Sequence, residues 1–339
     1  FHPPAEALER IACTWHCFHG YVDDQGLLEL REKIASDYNP GLDASNLLLT
    51  PGANNAFFTL LVTTLNLGDE FILPSPVYFN YAMAIQMLGG RVIEVPCDGG
   101  FDLDVEAIRS SITPRTKAIV IISPNNPTGK IYSSEKLKEI ASTCRDLGIL
   151  LVSDETYADF VFKGFNYNSP YEIAREIGTD AVCVSSFSKV YGIPGWRLGY
   201  LITSSNVMMQ EMLKVQDTLN ICAPVPAQYL VLELMENYRD YYIQKIGEIE
   251  GRKEAIESHL EKFLNYRPGG ALYCFPRFRQ DSYRQALKLA AEKGVIVLPG
   301  SIFGQAGEGN VRIAYGSASV EQLERASRLI EEFLEEKSE

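Results

Sequence analysis

The 339-residue sequence lacks several features that mark whole classes of proteins. Its apolar runs stay well short of the ~20 residues that a membrane-spanning helix requires, so we expect no membrane segment. The formal net charge of −13 argues against a nucleic-acid partner, which needs clustered Lys and Arg to neutralise phosphates. The sequence also lacks a Gly-x-Gly-x-x-Gly pattern after a strand, which is typical of dinucleotide-binding folds. We therefore expect neither a membrane nor a nucleic-acid partner.

Disulfide and metal frameworks are also poorly supported by the cysteine pattern. The seven cysteines are odd in number, scattered, and contain no Cys-x-x-Cys pair, which favours free thiols in a reducing compartment. One short segment is dense in possible metal ligands, namely Cys13, His16, Cys17 and His19. It has no second pair elsewhere, so we predict no metal site. We predict a cytoplasmic protein, although the first residue is Phe1 and not Met.

Apolar, β-rich runs alternate with helical patterns between residues 47 and 202, which predicts an α/β fold. The expected strands are Leu47–Thr50, Glu70–Leu73, Arg91–Val95, Lys117–Ile122, Ile149–Ser153, Ala181–Ser185 and Leu198–Ile202. The expected helices between them include Ala53–Leu65, Tyr78–Leu88 and Ser134–Leu147. Continuous apolar strands are typical of a sheet buried on both faces. We predict a large domain with a mostly parallel mixed sheet flanked by helices.

The last third of the sequence has a different pattern. Long amphipathic helices around Pro226–Leu264 precede short β-like runs at Ala271–Phe275, Val295–Leu298 and Val311–Ala314, and a closing helix begins at Val320. This pattern predicts a smaller α+β domain. We assign residues 22–235 to the large domain, and residues 1–21 and 236–339 to the small one.

Polar segments follow four of the predicted strands. Ligands of such sheets bind beyond the carboxyl ends of the strands. Four polar segments at those ends therefore predict a binding site. The segments are Thr50-Pro-Gly-Ala-Asn54, Ser123-Pro-Asn-Asn-Pro-Thr-Gly129, Asp154-Glu-Thr-Tyr157 and Ser185-Ser-Phe-Ser-Lys189.

Each signal has an ordinary explanation when it is taken alone. A lysine after a strand is usually a surface residue, and Asp154 is a plausible helix cap. The residues of Asn126-Pro-Thr-Gly129 are typical of a tight turn. Tyr78, Arg197 and Arg312 are equally compatible with core packing or ion pairs. Only their combination at one edge of a sheet predicts a site.

That combination supplies what a phosphorylated aromatic aldehyde requires. A phosphate binds backbone N–H groups where a helix begins, and Gly52, Ala53 and Asn54 can present them. A hydroxyl and a guanidinium, from Ser186 and Arg197, would complete the phosphate contacts.

Two more groups, and the order of all the motifs, carry a specific resemblance. Asp154 offers a carboxylate to a protonated ring nitrogen, and Lys189 offers an amine to an aldehyde. Ser186-Phe-Ser-Lys189, followed after seven residues by Arg197 in Gly195-Trp-Arg-Leu-Gly199, resembles the signature of class I/II pyridoxal-5′-phosphate (PLP)-dependent aminotransferases of fold type I. Asn126-Pro-Thr-Gly129 and Asp154-x-x-Tyr157 accompany it in the same order as in that family. The resemblance covers essentially the whole chain.

The resemblance implies a role for each matching residue. Lys189 is similar to the Schiff-base lysine that also moves the substrate proton, and Asp154 to the partner of the pyridine N–H. Tyr157 and Asn126 match the two donors to the phenolate oxygen of the ring, and Tyr78 the aromatic residue stacked on the ring. The implied phosphate contacts are Ala53, Asn54, Ser186 and Arg197, with Ser188 adjacent.

Two further roles are implied by the resemblance. Arg312, in Asn310-Val-Arg-Ile313, resembles the arginine that binds the substrate α-carboxylate bidentately, with Asn126 beside it. Tyr21 resembles a tyrosine that one subunit lends to the cofactor phosphate of its partner subunit. The expected working unit is therefore a homodimer.

The implied reaction moves an amino group between an L-amino acid and a 2-oxo acid by a ping-pong mechanism through the Lys189 Schiff base. Other reactions of the same apparatus stay open at this point: C–S β-lyases, cyclising synthases and decarboxylating acyltransferases share residues like Lys189 and Asp154. A non-catalytic PLP-binding module is a further alternative. Asn54 stands where some relatives acting on acidic substrates have Lys, so one cue for such a substrate is absent.

Overall fold

The computed structural model describes residues 1–38 and 41–336. Its strands are β1 Leu47–Thr50, β2 Glu70–Ser75, β3 Arg91–Pro96, β4 Thr116–Ile122, β5 Leu150–Asp154, β6 Ala181–Ser186, β7 Gly199–Thr203, β8 Tyr273–Cys274, β9 Leu298–Pro299 and β10 Val311–Ala314. Its helices are α1 Ala5–Ala12, α2 Leu28–Tyr38, α3 Ala53–Thr64, α4 Phe79–Met87, α5 Val105–Ser110, α6 Ser134–Leu147, α7 Pro170–Ile177, α8 Phe187–Val190, α9 Asn206–Leu219, α10 Val225–Asn237, α11 Arg239–Leu260, α12 Ser282–Lys293 and α13 Val320–Glu335.

The larger sheet has seven strands in the order β1-β7-β6-β5-β4-β2-β3. Strand β7 is antiparallel to both of its neighbours, β1 and β6. The other adjacent pairs are parallel. The predicted α/β fold with a mostly parallel mixed sheet is confirmed, and each of the seven predicted strands lies within two residues of its observed bounds.

Both faces of this sheet are covered by helices, which explains the unbroken apolar run of a central strand such as β4, whereas the edge strand β3 is mostly exposed or half-buried. In β4, Ile119 and Ile121 belong to the core on one face, while Ala118, Val120 and Ile122 belong to the core on the other. Helices α1, α2, α6, α7 and α10 contribute to the first core, and α3, α4 and α9 to the second. Successive residues of a strand point to opposite faces, so a two-sided core requires apolar residues at every position.

Local sequence chemistry sets the ends of the helices that support the sheet. Helix α6 begins after Ser133, whose Oγ accepts a hydrogen bond from the backbone N–H of Lys136. It ends at Gly148, where the backbone φ of 65° suits glycine. Helix α13 begins with a capping box between Ser319 and Gln322, as the predicted start at Val320 requires.

The last third of the chain forms a separate antiparallel sheet in the order β8-β10-β9. Helices α11, α12 and α13 share its core, in which Ile256, Leu289 and Ile330 are buried. Strand β9 lies later in the chain than the predicted run Val295–Leu298. The proposed division into residues 22–235, and 1–21 with 236–339, stays a prediction. Packing of α1 against α10 in the core of the larger sheet favours placing the first residues with the larger unit.

Two features bear on the classes of protein considered from the sequence. All seven cysteines are free thiols. Within residues 1–38 and 41–336, no helix is both long enough and apolar enough to cross a bilayer.

Candidate active site

A cavity of about 270 Å³ opens where β4, β5 and β6 reach their carboxyl ends. Every site residue that was predicted from within one chain lies on its wall. The lining residues are Ala53, Asn54, Tyr78, Phe79, Ile122, Asn126, Asp154, Thr156, Tyr157, Ser186, Ser188, Lys189, Pro194, Arg197, Tyr273 and Arg312. Residues more than 250 positions apart in the sequence therefore meet at one edge of the sheet.

Asp154, the last residue of β5, brings a buried carboxylate to this cavity. Its Oδ2 accepts a hydrogen bond from Tyr81 Oη at 2.7 Å, and its Oδ1 accepts one from the backbone N–H of Thr156 at 2.9 Å. Burial raises the pKa of Asp154 above its ordinary value, and these hydrogen bonds act in the opposite direction. The carboxylate is thus held by two donors with lone pairs left for a further donor in the cavity.

One end of the cavity suits an anion. Helix α3 begins at Ala53, so its first backbone N–H groups face the opening. Gly52 has a φ of 87°, and a Cβ there would lie 2.5 Å from Arg197 Nη2. Arg197 Nη1 donates to the Pro194 carbonyl at 2.8 Å, and its guanidinium lies against the loop before α3. Glycine at position 52 therefore allows the guanidinium to approach the helix N-terminus.

The turn between β6 and α8 presents a lysine to the cavity. Ser186 Oγ accepts from the Ser188 backbone N–H at 3.0 Å and contacts Ser188 Oγ at 2.8 Å, which closes the first turn of α8. Lys189 follows, half-buried on the cavity wall. Its Nζ has no hydrogen-bond or ion-pair partner in the part of the chain that the structure describes. A half-buried amine without a partner is available for chemistry in the cavity.

A pair of tyrosines and an amide–guanidinium pair line the opposite side. Tyr157 Oη lies 2.9 Å from Tyr273 Oη, and both residues are buried. Burial, and then the neighbouring Tyr273, raise the pKa of Tyr157 well above its usual range, so its phenol stays protonated. Arg312 Nη1 donates to Asn126 Oδ1 at 2.9 Å, while Arg312 Nε is buried without a partner among the described residues. The Asn126 amide therefore has its Nδ2 donors directed away from Arg312.

Tyr78 and Asn54 stand at the mouth of the cavity. Tyr78 precedes α4 and is half-buried, with its Oη accepting from Asn80 Nδ2 at 2.8 Å. Its ring meets the ring of Tyr81 edge-on, with centroids 5.3 Å apart. Asn54 is exposed in the first turn of α3. The predicted aromatic residue and the predicted phosphate contact thus face the same opening.

The segment from residue 13 to residue 21 lies outside the cavity. Tyr21 is 77% exposed and does not reach the cavity of its own chain. In residues 1–38 and 41–336, no group of three or more His, Cys, Asp or Glu side chains is arranged to hold a metal ion. The dense Cys13–His19 segment accordingly offers no assembled ligand set, and His19 packs its ring against Trp15.

Two tyrosines of the site were missed in the sequence. Tyr81 lies three residues after Tyr78 on α4, where an aromatic residue is usually core, and its ring indeed stacks on Phe57 with centroids 3.8 Å apart. Tyr273 was predicted only as part of a β-like run. A buried tyrosine normally needs a hydrogen-bond partner, and that requirement is the signal that would have drawn attention to both.

Comparison with known proteins gives one consistent result. A family model described as "Aminotransferase class I and II" matches residues 5–330. The chain is 31% identical over 327 residues to a probable aspartate aminotransferase of Methanocaldococcus jannaschii, covering 93% of this chain and 85% of the relative. It is 34% identical over 335 residues to aromatic-amino-acid aminotransferase 2 of Thermococcus litoralis, covering 94% and 84%. The crystal structure of an aromatic aminotransferase from Pyrococcus horikoshii matches with a TM-score of 0.91 and 32% identity, covering 98% of this chain and 93% of that one.

Proposed function

The chain belongs to the class I and II aminotransferase family, and from this premise we propose which of its residues carry out each part of the reaction. It is a PLP-dependent aminotransferase of fold type I, which moves an amino group between an amino acid and a 2-oxo acid with ping-pong kinetics. The observation that carries the residue assignments is the Lys189 amine, which has no hydrogen-bond or ion-pair partner among the described residues, in the same cavity as the buried Asp154 carboxylate.

The residues of the cavity fit PLP by their chemistry. We propose that the α3 N-terminus at Ala53 and Asn54, together with Ser186 and Arg197, holds the phosphate. All four residues line the cavity, and the Arg197 guanidinium lies against the loop that leads into α3. Their donors are neutral or positive, as a phosphate dianion requires.

The ring end of the cavity fits equally well. We propose that Asp154 pairs with the pyridine N–H, since its buried carboxylate lines the cavity and the hydrogen bonds from Tyr81 and Thr156 favour its charged form. Tyr157 and the Nδ2 of Asn126 would donate to the ring oxygen, and Tyr78 would stack on the ring face. The protonated state of Tyr157 supports a donor role for it.

When bound, PLP supplies an aldehyde that captures amines and a protonated ring that withdraws electrons from the substrate α-carbon. We propose that Lys189 would attach the cofactor through Nζ, and that Nζ, once the substrate amine has displaced it as a free amine, would take the α-proton and return it. Asp154 keeps the ring protonated by holding a negative charge beside it. The Lys189 amine is available for this proton transfer because no acidic side chain among the described residues forms a hydrogen bond or ion pair with it.

Arg312 is the proposed receptor for the α-carboxylate of the substrate. Its Nη1 already donates to Asn126, while its buried Nε has no partner among the described residues. An unpaired buried guanidinium N–H is costly, and a carboxylate would satisfy it in the fork geometry that arginine prefers. The α-carboxylate would then lie between Arg312 and the ring end of the cavity.

The proposed assignment of Lys189 is tested by chemical trapping. PLP-loaded protein should show a visible absorption band, and borohydride should fix the cofactor on Lys189, as read by peptide mass spectrometry. Lys189→Ala should lose the fixed adduct, whereas the matched control Lys130→Ala, a half-buried lysine at another strand exit, should retain it. An adduct on a different lysine, or no band in PLP-supplied wild type, refutes the assignment.

We also propose a homodimer in which Tyr21 contacts the phosphate of the partner subunit. Its ring is 77% exposed and cannot serve the cavity of its own chain. Tyr21→Ala and Lys189→Ala chains should each be nearly inactive alone, because each lacks part of every site. Mixing them should restore activity, since one hybrid site then has both residues. Failure to restore activity in a mixture shown to contain hybrid dimers would contradict this arrangement.

The substrate is proposed only at the level of its class. Relatives bear names of aspartate and aromatic aminotransferases, and aromatic rings of Tyr78, Phe79 and Tyr273 line this cavity. We propose that large apolar or aromatic amino acids react faster than aspartate, and a half-reaction screen that follows loss of the visible band will rank them. A cytoplasmic location remains our proposal and is supported by the seven free thiols.

A further inference from the structure

Tyr273 lies between the two proposed binding sites, the one for the cofactor ring oxygen and the one for the substrate carboxylate. It belongs to β8, is 8% exposed, and lines the cavity. Its Oη is 2.9 Å from Tyr157 Oη. The face of its ring lies 4.3 Å from the Cζ of Arg312. One side chain therefore contacts both groups whose orientation the reaction depends on.

The hydroxyl of Tyr273 determines where the proton of Tyr157 can point. A phenol has a single O–H to donate. If Tyr157 donated to Tyr273, it would have no proton left for the cavity. If Tyr273 donates, the proton of Tyr157 is free to reach the ring oxygen of the cofactor. The two rings meet edge-on, with centroids 5.6 Å apart at 77°, which holds the hydroxyls in contact.

The ring of Tyr273 has a different task. It supports the flat face of the Arg312 guanidinium by a cation–π contact. Phe303 contacts the same guanidinium at 5.2 Å, and Asn126 accepts its Nη1 hydrogen bond at 2.9 Å. These contacts fix the plane of the guanidinium, which decides whether it can bind a carboxylate bidentately.

We propose that Tyr273 is a positioning residue with two separable actions. Its hydroxyl donates to Tyr157 and so turns the Tyr157 proton towards the cofactor, and its ring holds Arg312 in the plane that receives the substrate carboxylate. This inference rests on the proposed function, because it takes the assignments of Tyr157 and Arg312 as given. It adds a residue that acts through both of them.

The two actions are separated by comparing Tyr273→Phe with Tyr273→Leu in the full-length, PLP-loaded enzyme. The first readout is the pH midpoint of the change in the visible absorption band. Donors to the ring oxygen stabilise the negative charge that remains when the chromophore loses its proton, so weaker donation raises the midpoint. The second readout is the Kd of 3-phenylpropionate, an unreactive carboxylate, by titration calorimetry.

Tyr273→Phe should raise the pH midpoint by about half a unit to one unit, the size expected for one hydrogen bond. It should leave the Kd of 3-phenylpropionate within about twofold, because the ring over Arg312 is retained. Tyr273→Leu should raise the pH midpoint by a similar amount. It should also raise the Kd of 3-phenylpropionate by about threefold to thirtyfold, because the ring over Arg312 is lost. Tyr242→Phe, which removes a buried hydroxyl that has no hydrogen-bond partner among the described residues, should match wild type in both readouts.

An unchanged or lowered midpoint in Tyr273→Phe would overturn the inference, since a lowered one means that Tyr157 had been donating to Tyr273. Equal 3-phenylpropionate affinities in the Phe and Leu variants would overturn the action of the ring. A Tyr242→Phe control that shifts the pH midpoint as Tyr273→Phe does would overturn the action of the hydroxyl. A wild-type protein without a visible band would instead remove the cofactor assignment itself, and this inference with it.

Discussion

Removing the hydroxyl of Tyr81 should weaken the electron-withdrawing power of the cofactor without touching the cofactor directly. Tyr81 is 1% exposed and donates to Asp154 Oδ2 at 2.7 Å, while the backbone N–H of Thr156 donates to Asp154 Oδ1 at 2.9 Å. Tyr81→Phe keeps the ring that stacks on Phe57, so packing is preserved. The substitution therefore isolates the hydrogen bond to Asp154.

The size of the effect follows from the charge of the acceptor. A hydrogen bond to a charged group contributes about 1.5–3 kcal/mol, and one pKa unit corresponds to about 1.4 kcal/mol. Burial already raises the pKa of Asp154, and Tyr81 opposes this rise. Its loss should raise the Asp154 pKa further. The carboxylate then competes more strongly for the proton of the pyridine nitrogen, so the ring carries less positive charge.

A single half-reaction measures the consequence. In a stopped-flow instrument, the rate at which an amino acid removes the visible band should fall by about tenfold to a hundredfold in Tyr81→Phe. The amino acid KM should change little, because the proposed receptor of the substrate carboxylate is Arg312, which does not contact Tyr81 or Asp154 through any hydrogen bond among the described residues. Nitrogen-15 NMR of labelled PLP should show less protonation at the ring nitrogen. An unchanged rate with an unchanged nitrogen signal, or an equal loss in the Tyr242→Phe control, would refute the reasoning.

Three further substitutions test other parts of the site and its support. Arg312→Lys keeps the positive charge but loses the pair of parallel N–H donors that binds a carboxylate bidentately. The amino acid KM should therefore rise by about tenfold to a hundredfold while kcat changes less, and an unchanged KM would contradict the assignment of Arg312 to the substrate carboxylate. Gly52→Ala forces a side chain into a φ of 87° and against Arg197, at about 1–3 kcal/mol. It should weaken binding of PLP but not of pyridoxal, which lacks the phosphate, and equal losses would contradict the phosphate site. Burial raises the pKa of Glu155 above its ordinary 4.5, so its contribution to stability is present below that value and is lost as the pH rises through the folded pKa. In urea unfolding, the free energy of unfolding of Glu155→Gln should therefore rise relative to that of wild type by about 1.4 kcal/mol per pH unit, from pH 4.5 up to the folded-state pKa of Glu155. A difference between the two proteins that stays constant with pH would refute this.

The main sheet and the residues at its strand ends could be predicted from the sequence because both depend on local patterns. A strand buried on two faces needs an uninterrupted apolar run, as Ala118–Ile122 provides. Turn and capping residues mark the exits, so Asp154 and Lys189 could be located by counting from the strands. Parallel strands then bring their carboxyl ends to one edge whatever the sequence distance between them.

The same reasoning could not find Tyr81 or Tyr273, because their importance depends on contacts distant in sequence. Tyr81 is separated from Asp154 by 73 positions, and Tyr273 from Tyr157 by 116. Each lies in an element whose pattern is explained by core packing alone. Strand β9 was misplaced for a related reason: it pairs through only two residues of β10, too few to leave a periodic pattern.

The two sheets depend on each other through a small number of polar contacts at the cavity. Arg312 on β10 reaches Asn126, beyond β4, and Tyr273 on β8 reaches Tyr157, beyond β5, each at 2.9 Å. Strands β8 and β10 are paired, with Tyr273 opposite Ala314, so a displacement of the smaller sheet moves both of its contributions together. Neither sheet alone has a complete set of groups for cofactor and substrate. The proposed site is assembled only when Arg312 contacts Asn126 and Tyr273 contacts Tyr157, and each of these hydrogen bonds joins elements far apart in the chain. The geometry of the site is therefore a property of the tertiary fold and not of any single motif.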